Sequence, residues 1–151
     1  MKIEKLDQKS YKIFINNLYL KDVDFSDKEN MVQSIKSIIK KLRLRLGLRG
    51  FYKVKVFPNS KIGVFLEIIQ LEDIDFSNNL DLRVILFNDE QFLFETDDYF
   101  LIDQCSDVKY YDGKFYCFID DDFDEILEKV EFGRVLYGKE VLSVLDRCIS
   151  L

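Results

Sequence analysis

The chain has 151 residues, room for one domain or two small lobes at roughly 100 to 200 residues per domain. Its 48% hydrophobic and 33% charged residues are the balance of a globular chain, and the absence of His excludes Ser-His-Asp and Cys-His catalysis, His-ligated zinc or haem, and histidine pH switching. The net charge of −6 conceals a split: residues 1–61 carry 15 Lys and Arg against 6 Asp and Glu, or +9, and residues 62–151 carry 7 against 22, or −15.

The first strand runs over Tyr11 to Ile15. Ser26 and Glu29 have the spacing of a capping box, in which each side chain satisfies an orphan amide at a helix start. Met31, Ile35, Ile38, Ile39, Leu42 and Leu46 then recur at helical spacing, and Gly47 or Gly50 ends the helix. The run from Leu42 to Arg49 also alternates Leu with Arg, a strand-like period, but continuity of the apolar face favours helix. Val54 and Val56 make a strand, Pro58 to Gly63 a loop, and Val64 to Ile69 the returning strand. The acidic segment Leu71 to Asn79, ending in Ser-Asn-Asn, reads as a linker.

Beyond it, Leu82 to Phe87 and Phe92 to Glu95 read as a strand pair, and Thr96, Asp97 and Asp98 open a brief helix to about Cys105. Val108 to Tyr111 and Lys114 to Ile119 flank Asp112-Gly113, the signature of a type I′ hairpin. Asp120, Asp121 and Asp122 lead into a helix with Phe123, Ile126, Leu127 and Val130 on its apolar face and Gly133 at its end. A strand after Gly138 and a short terminal helix complete the reading. The expected fold class is α+β: two small lobes, each with antiparallel strands packed on one or two helices. The lobes are a basic one at 1–71 and an acidic one at 80–151, joined by 72–79.

Cys105, Cys117 and Cys148 have neither metal-ligand nor disulfide-framework spacing and read as free thiols of a reducing cytoplasm. The start MKIEKL lacks the apolar core of a signal peptide, and no apolar run is long enough for a membrane span, so a cytoplasmic location without membrane contact is expected. The acidic run Asp120 to Glu125 lacks the glycine that a calcium loop needs at its sixth position, and no phosphate-cradling glycine loop occurs. No cofactor and no metal is expected. Lys36, Lys40, Lys41, Arg43, Arg45 and Arg49 cluster on the first helix and could meet phosphates or an acidic protein surface. Tyr110, Tyr111, Phe115 and Tyr116 read as core and cross-strand packing rather than as a base-stacking platform.

The opening Met1 to Ile15 (MKIEKLDQKSYKIFI), the hairpin Tyr110 to Phe118 (YYDGKFYCF), and the pair Glu131-Phe132-Gly133 and Tyr137-Gly138-Lys139-Glu140 together resemble MecA-type adaptor proteins, negative regulators of competence that deliver substrates to Clp ATPases. The resemblance implies a shortened relative whose N-terminal lobe recognises a substrate protein and whose C-terminal lobe engages the ATPase. On this reading the chain is not an enzyme. Lys36, Lys40, Lys41, Arg43 and Arg45 are its substrate side. Glu125, Glu128 and Glu131, spaced i, i+3 along one helix stripe, are its ATPase side. The alternative from another class is a small nucleic-acid-associated regulator using the basic helix 26–47, against which the acidic second lobe would act by repulsion. A purely structural or oligomerising module is a third reading.

Overall fold

The computed structural model describes residues 1–72, 80–88, 90–119 and 133–151. Among these the chain forms an α+β fold of two compact units, Met1–Asn88 and Asp89–Leu151, each built on a five-stranded sheet.

In the first unit, β1 (Lys2–Asp7) and β2 (Ser10–Asn16) form a hairpin, followed by a 3-10 turn at Asn17–Tyr19 and the helix α1 (Lys28–Leu46). Three strands follow: β3 (Gly50–Asn59), β4 (Gly63–Glu72) and β5 (Leu80–Leu86), giving the sheet order β1-β2-β4-β3-β5. All neighbours are antiparallel except β5, which pairs parallel to β3 with Val54 opposite Val84. The apolar stripe Met31, Ile35, Ile39 and Leu42 of α1 is buried against alternate residues of the strands: Ile13 and Ile15, Val54 and Val56, Val64, Leu66 and Ile68. Helical and strand periodicities meet there, so one face of each element is removed from water. On the other face of the sheet Phe14 packs on Phe65 at 4.7 Å and Phe57 stacks on Phe87 at 4.8 Å. Gly63 has φ +140° where β4 begins, and a Cβ there would run into the Ile15 carbonyl, so the turn between β3 and β4 requires glycine.

The second unit contains β6 (Leu93–Thr96), a 3-10 turn at Tyr99–Leu101, β7 (Lys109–Tyr111), β8 (Lys114–Phe118), β9 (Arg134–Leu136), the helix α2 (Lys139–Leu145) and β10 (Ile149–Ser150). The sheet is antiparallel throughout, in the order β10-β7-β8-β6-β9. Leu93, Tyr116, Leu136 and Val141 form a small core beside α2. The hairpin at Asp112-Gly113 forms as expected: φ is +50° at Asp112 and +79° at Gly113, the two left-handed positions of a type I′ turn.

Several expectations are corrected. Leu82 to Phe87 does not pair with Phe92 to Glu95; strand β5 completes the first sheet, and the compact units are Met1–Asn88 and Asp89–Leu151, while residues 73–79 of the expected linker lie outside the described residues. The alternating pattern of β5 could not say which sheet it joins, because a parallel partner lies far away in sequence. The cap of α1 is Asp27, which accepts from the Asn30 N–H at 3.2 Å, while Ser26 is occupied with Asp24. The helix from Thr96 contracts to a 3-10 turn capped by Asp98. After Gly138 comes α2 and not a strand; the strand β9 precedes it, and the chain closes on β10 rather than on a helix. The helix expected over Asp120 to Val130, and with it Glu125, Glu128 and Glu131, lies outside the described residues.

Candidate functional site

The basic surface is built at the C-terminal end of α1. The helix ends in a Schellman-type turn: Gly47 takes φ +67°, and the amides of Gly47 and Leu48 both donate to the Arg43 carbonyl, the latter at 3.0 Å. Leu48 then inserts into the core at 3% exposure. The turn is fastened to the sheet by side chains: the Tyr11 hydroxyl donates to the Leu46 carbonyl at 2.9 Å, the Arg49 amide donates to the Tyr52 hydroxyl at 3.2 Å, and Gln70 Nε2 donates to the Arg49 carbonyl at 3.2 Å. The end of the helix is therefore held on three strands, and the side chains it carries are presented from a fixed base.

Lys36, Lys40 and Arg43 follow one another at i, i+4, i+7 and lie along one stripe; Lys41 and Arg45 make the adjacent stripe. Lys40, Lys41, Arg45 and Arg49 are exposed, whereas Lys36 and Arg43 are half-buried. Lys40, Lys41, Arg43 and Arg49, with Leu44, Gly47 and Leu48, line a shallow concavity of about 840 Å³. The structure thus gathers four of the six clustered cations around one depression; Lys36 and Arg45 lie on the same helix outside its lining. Arg43 and Arg45 also lie in the last turn, where cations offset the partial negative charge of the helix end.

Leu44 was hidden in the ambiguous Leu-Arg alternation. It is 94% exposed, a leucine standing in water among cations. The signal was present, because Leu44 falls off the stripe that Met31, Ile35, Ile39 and Leu42 define.

The second unit holds a polar row across its sheet. Arg134 of β9 stands opposite Glu95 of β6, which stands opposite Tyr116 of β8, which stands opposite Lys109 of β7. Burial, reinforced by the hydrogen bond and negative charge of Glu95, pushes the Tyr116 hydroxyl well above the usual phenol range. Arg134 Nη2 donates to Glu140 Oε2 at 2.5 Å, tying β9 to α2. Burial also raises the Cys148 thiol, which keeps it in its unreactive protonated form. This row joins strands and helix, and its charges largely satisfy one another. None of the three cysteines forms a disulfide; Cys117 is buried and the other two are half-buried.

Among the described residues no cluster of carboxylates and thiols is placed to hold a metal ion, and no helix is long and apolar enough to cross a membrane. Comparison with family models, curated proteins and solved structures finds no match for this chain.

Proposed function

We propose that this chain is a non-catalytic adaptor of the cytoplasm. Its α1 surface binds a substrate protein through an acidic segment with an apolar side chain, and its second unit engages a Clp-type ATPase. The observation that carries the first half is Leu44, exposed at the centre of Lys40, Lys41, Arg43, Arg45 and Arg49 on a helix end that hydrogen bonds hold in place. Carboxylates of a partner would meet the cations, and an apolar residue would cover the leucine, a combination that a phosphate backbone does not supply. The charge of the units supports two partners: Met1–Asn88 carries 16 Lys and Arg against 11 Asp and Glu, and Asp89–Leu151 carries 6 against 17. Opposed fields of this kind steer different partners to different surfaces.

The test uses the full chain and its double variant Lys40→Glu, Arg45→Glu. A labelled peptide alternating Glu with Leu is expected to bind the native chain and to lose about tenfold or more in affinity in the variant, as when two charge pairs and their steering are removed. Thermal stability should change by no more than about 0.5 kcal/mol, the range of surface substitutions. A purified Clp-type ATPase, added to the native chain, is expected to bind in a salt-sensitive manner. Duplex DNA that displaces the peptide with a steep logarithmic salt slope would replace the adaptor with a nucleic-acid-associated regulator.

A further inference from the structure

The second unit exposes an aromatic row that the polar chemistry of its other face does not use. On β7 and β8, Tyr110 and Phe115 are directly opposite each other with ring centroids 5.2 Å apart. Tyr99 packs on Phe115 at 5.4 Å, Phe100 follows Tyr99 at 6.4 Å, and at the other end Ile149 of β10 stands opposite Tyr110. The row runs from Ile149, 60% exposed, to Phe100, 78% exposed.

Phe100 is held outward by its backbone. Asp98 Oδ1 accepts from the Phe100 amide at 3.0 Å, the Ile102 amide donates to the Tyr99 carbonyl at 3.0 Å, and Ile102 is completely buried. A tight turn anchored by Ile102, with Tyr99 against the sheet, leaves its intervening ring in solvent.

The surroundings are acidic. From Asp97 to Lys114 the chain carries five aspartates and two lysines, and both lysines lie near carboxylates, Lys109 at 3.6 Å from Asp107 and Lys114 at 4.0 Å from Asp97. Aromatic faces attract cations through the ring quadrupole, and arginine in particular stacks on them while its guanidinium donates to carboxylates. Nucleic acid also stacks on aromatic rows, but its phosphates would meet these aspartates.

We propose that the row Phe100, Tyr99, Phe115 and Tyr110, bordered by Asp97 and Asp98, is a docking surface for a protein segment that presents arginine beside an apolar side chain. Arginine stacks on Phe100 within reach of the carboxylates, and the apolar neighbour covers the ring edges toward Tyr110 and Ile149. This deepens the adaptor reading, on which it rests, by naming the chemistry that the acidic unit recognises in its partner.

The experiment uses the full chain and a fluorescein-labelled peptide alternating Arg with Leu, beside matched peptides in which norleucine or Glu replaces Arg. The Arg peptide is expected to bind, and Phe100→Ala to weaken it about tenfold, as for loss of a desolvated cation–π contact. Phe100→Leu, which keeps an apolar side chain and loses the π face, should weaken it by an intermediate factor and leave the norleucine peptide unaffected. Leu44→Gln should leave the Arg peptide unchanged. Equal affinity of Phe100→Ala and native chain, equal binding of the norleucine and Arg peptides, or displacement of the Arg peptide by single-stranded RNA would each overturn the proposal. So would a dimer of the native chain in sedimentation that Phe100→Ala abolishes, since the row would then be covered by a second copy. The Glu-Leu peptide is measured on the same samples: its retention at α1 while the Arg peptide fails removes this surface alone, and failure of both removes the adaptor reading as well.

Discussion

The two units reach stability by different routes. The first spreads a 19-residue helix over strands of up to ten residues, and its core contains five residues of zero exposure from β2 and β4 alone: Ile13, Ile15, Val64, Leu66 and Ile68. Among its described residues the second has strands of two to five residues and a seven-residue helix, and it depends on particular positions: the Asp112-Gly113 turn, the Asp98 cap, and Gly133, where a Cβ would meet the Phe94 ring and the Glu95 carbonyl. Long elements are specified by repetition of a pattern, so each residue only reinforces the rest. Short elements have too few residues to repeat anything, and single side chains decide them.

The largest expected effect separates these routes. Ile35→Ala removes a fully buried side chain from the centre of the α1 stripe and should destabilise by about 2 to 5 kcal/mol, read from the urea midpoint. Hydrogen exchange on the native chain supplies the companion measurement. Amides of β2, β3 and β4, strands of seven to ten residues with a paired neighbour on each side, should exchange far more slowly than those of β7, β9 and β10. Equal protection in the two sheets would erase the contrast.

The same contrast explains what could be read from the residues. The apolar stripe of α1, the strand at Val54 and Val56 and its return were legible because buried faces repeat with periods near 3.6 and 2. The Asp-Gly hairpin was legible because its chemistry is local. The partner of β5 was not, since register with a strand some thirty residues upstream is a tertiary choice. Strand β1 was missed because both of its faces are exposed apart from half-buried Ile3, so it carries no apolar alternation. Of the candidate site, the cations were found from charge clustering; Leu44 was missed although it falls off the α1 stripe, and Phe100 because an exposed apolar residue in a short turn looks like a core residue until the turn is built.

A middle-sized effect tests the polar row of the second unit. Tyr116 is 3% exposed and bonded to Glu95, so Tyr116→Phe should destabilise by about 1 kcal/mol near pH 7. Its hydroxyl is raised in the folded state, so the unfolded chain loses this proton first. The contribution is complete below the unfolded value near pH 10 and is lost as pH rises above it. Stability of the native chain should fall between about pH 9.5 and 11 more steeply than that of Tyr116→Phe. Parallel slopes would mean that Tyr116 ionises as easily folded as unfolded.

An effect of similar size concerns how α1 and α2 begin. Asp27 caps α1 by accepting from Asn30, and Asp27→Ala should destabilise by about 1 kcal/mol. Had Ser26 and Glu29 formed the capping box, Ser26→Ala would have that effect and Asp27→Ala almost none. The observed arrangement reverses the order, because the Ser26 hydroxyl and amide both donate to Asp24 and hold its carboxyl below the usual range. At the start of α2, by contrast, Gly138 has φ +62° and ψ −133°, and no side chain caps the helix. Placing a capping residue there, as in Gly138→Asp, should lower stability despite the added acceptor, since that backbone conformation belongs almost entirely to glycine. Thermal melts of Ser26→Ala, Asp27→Ala and Gly138→Asp should therefore show almost no change for the first and a loss for the other two. A gain in Gly138→Asp would mean that the start of α2 lacks a cap for want of a side chain rather than because its backbone forbids one.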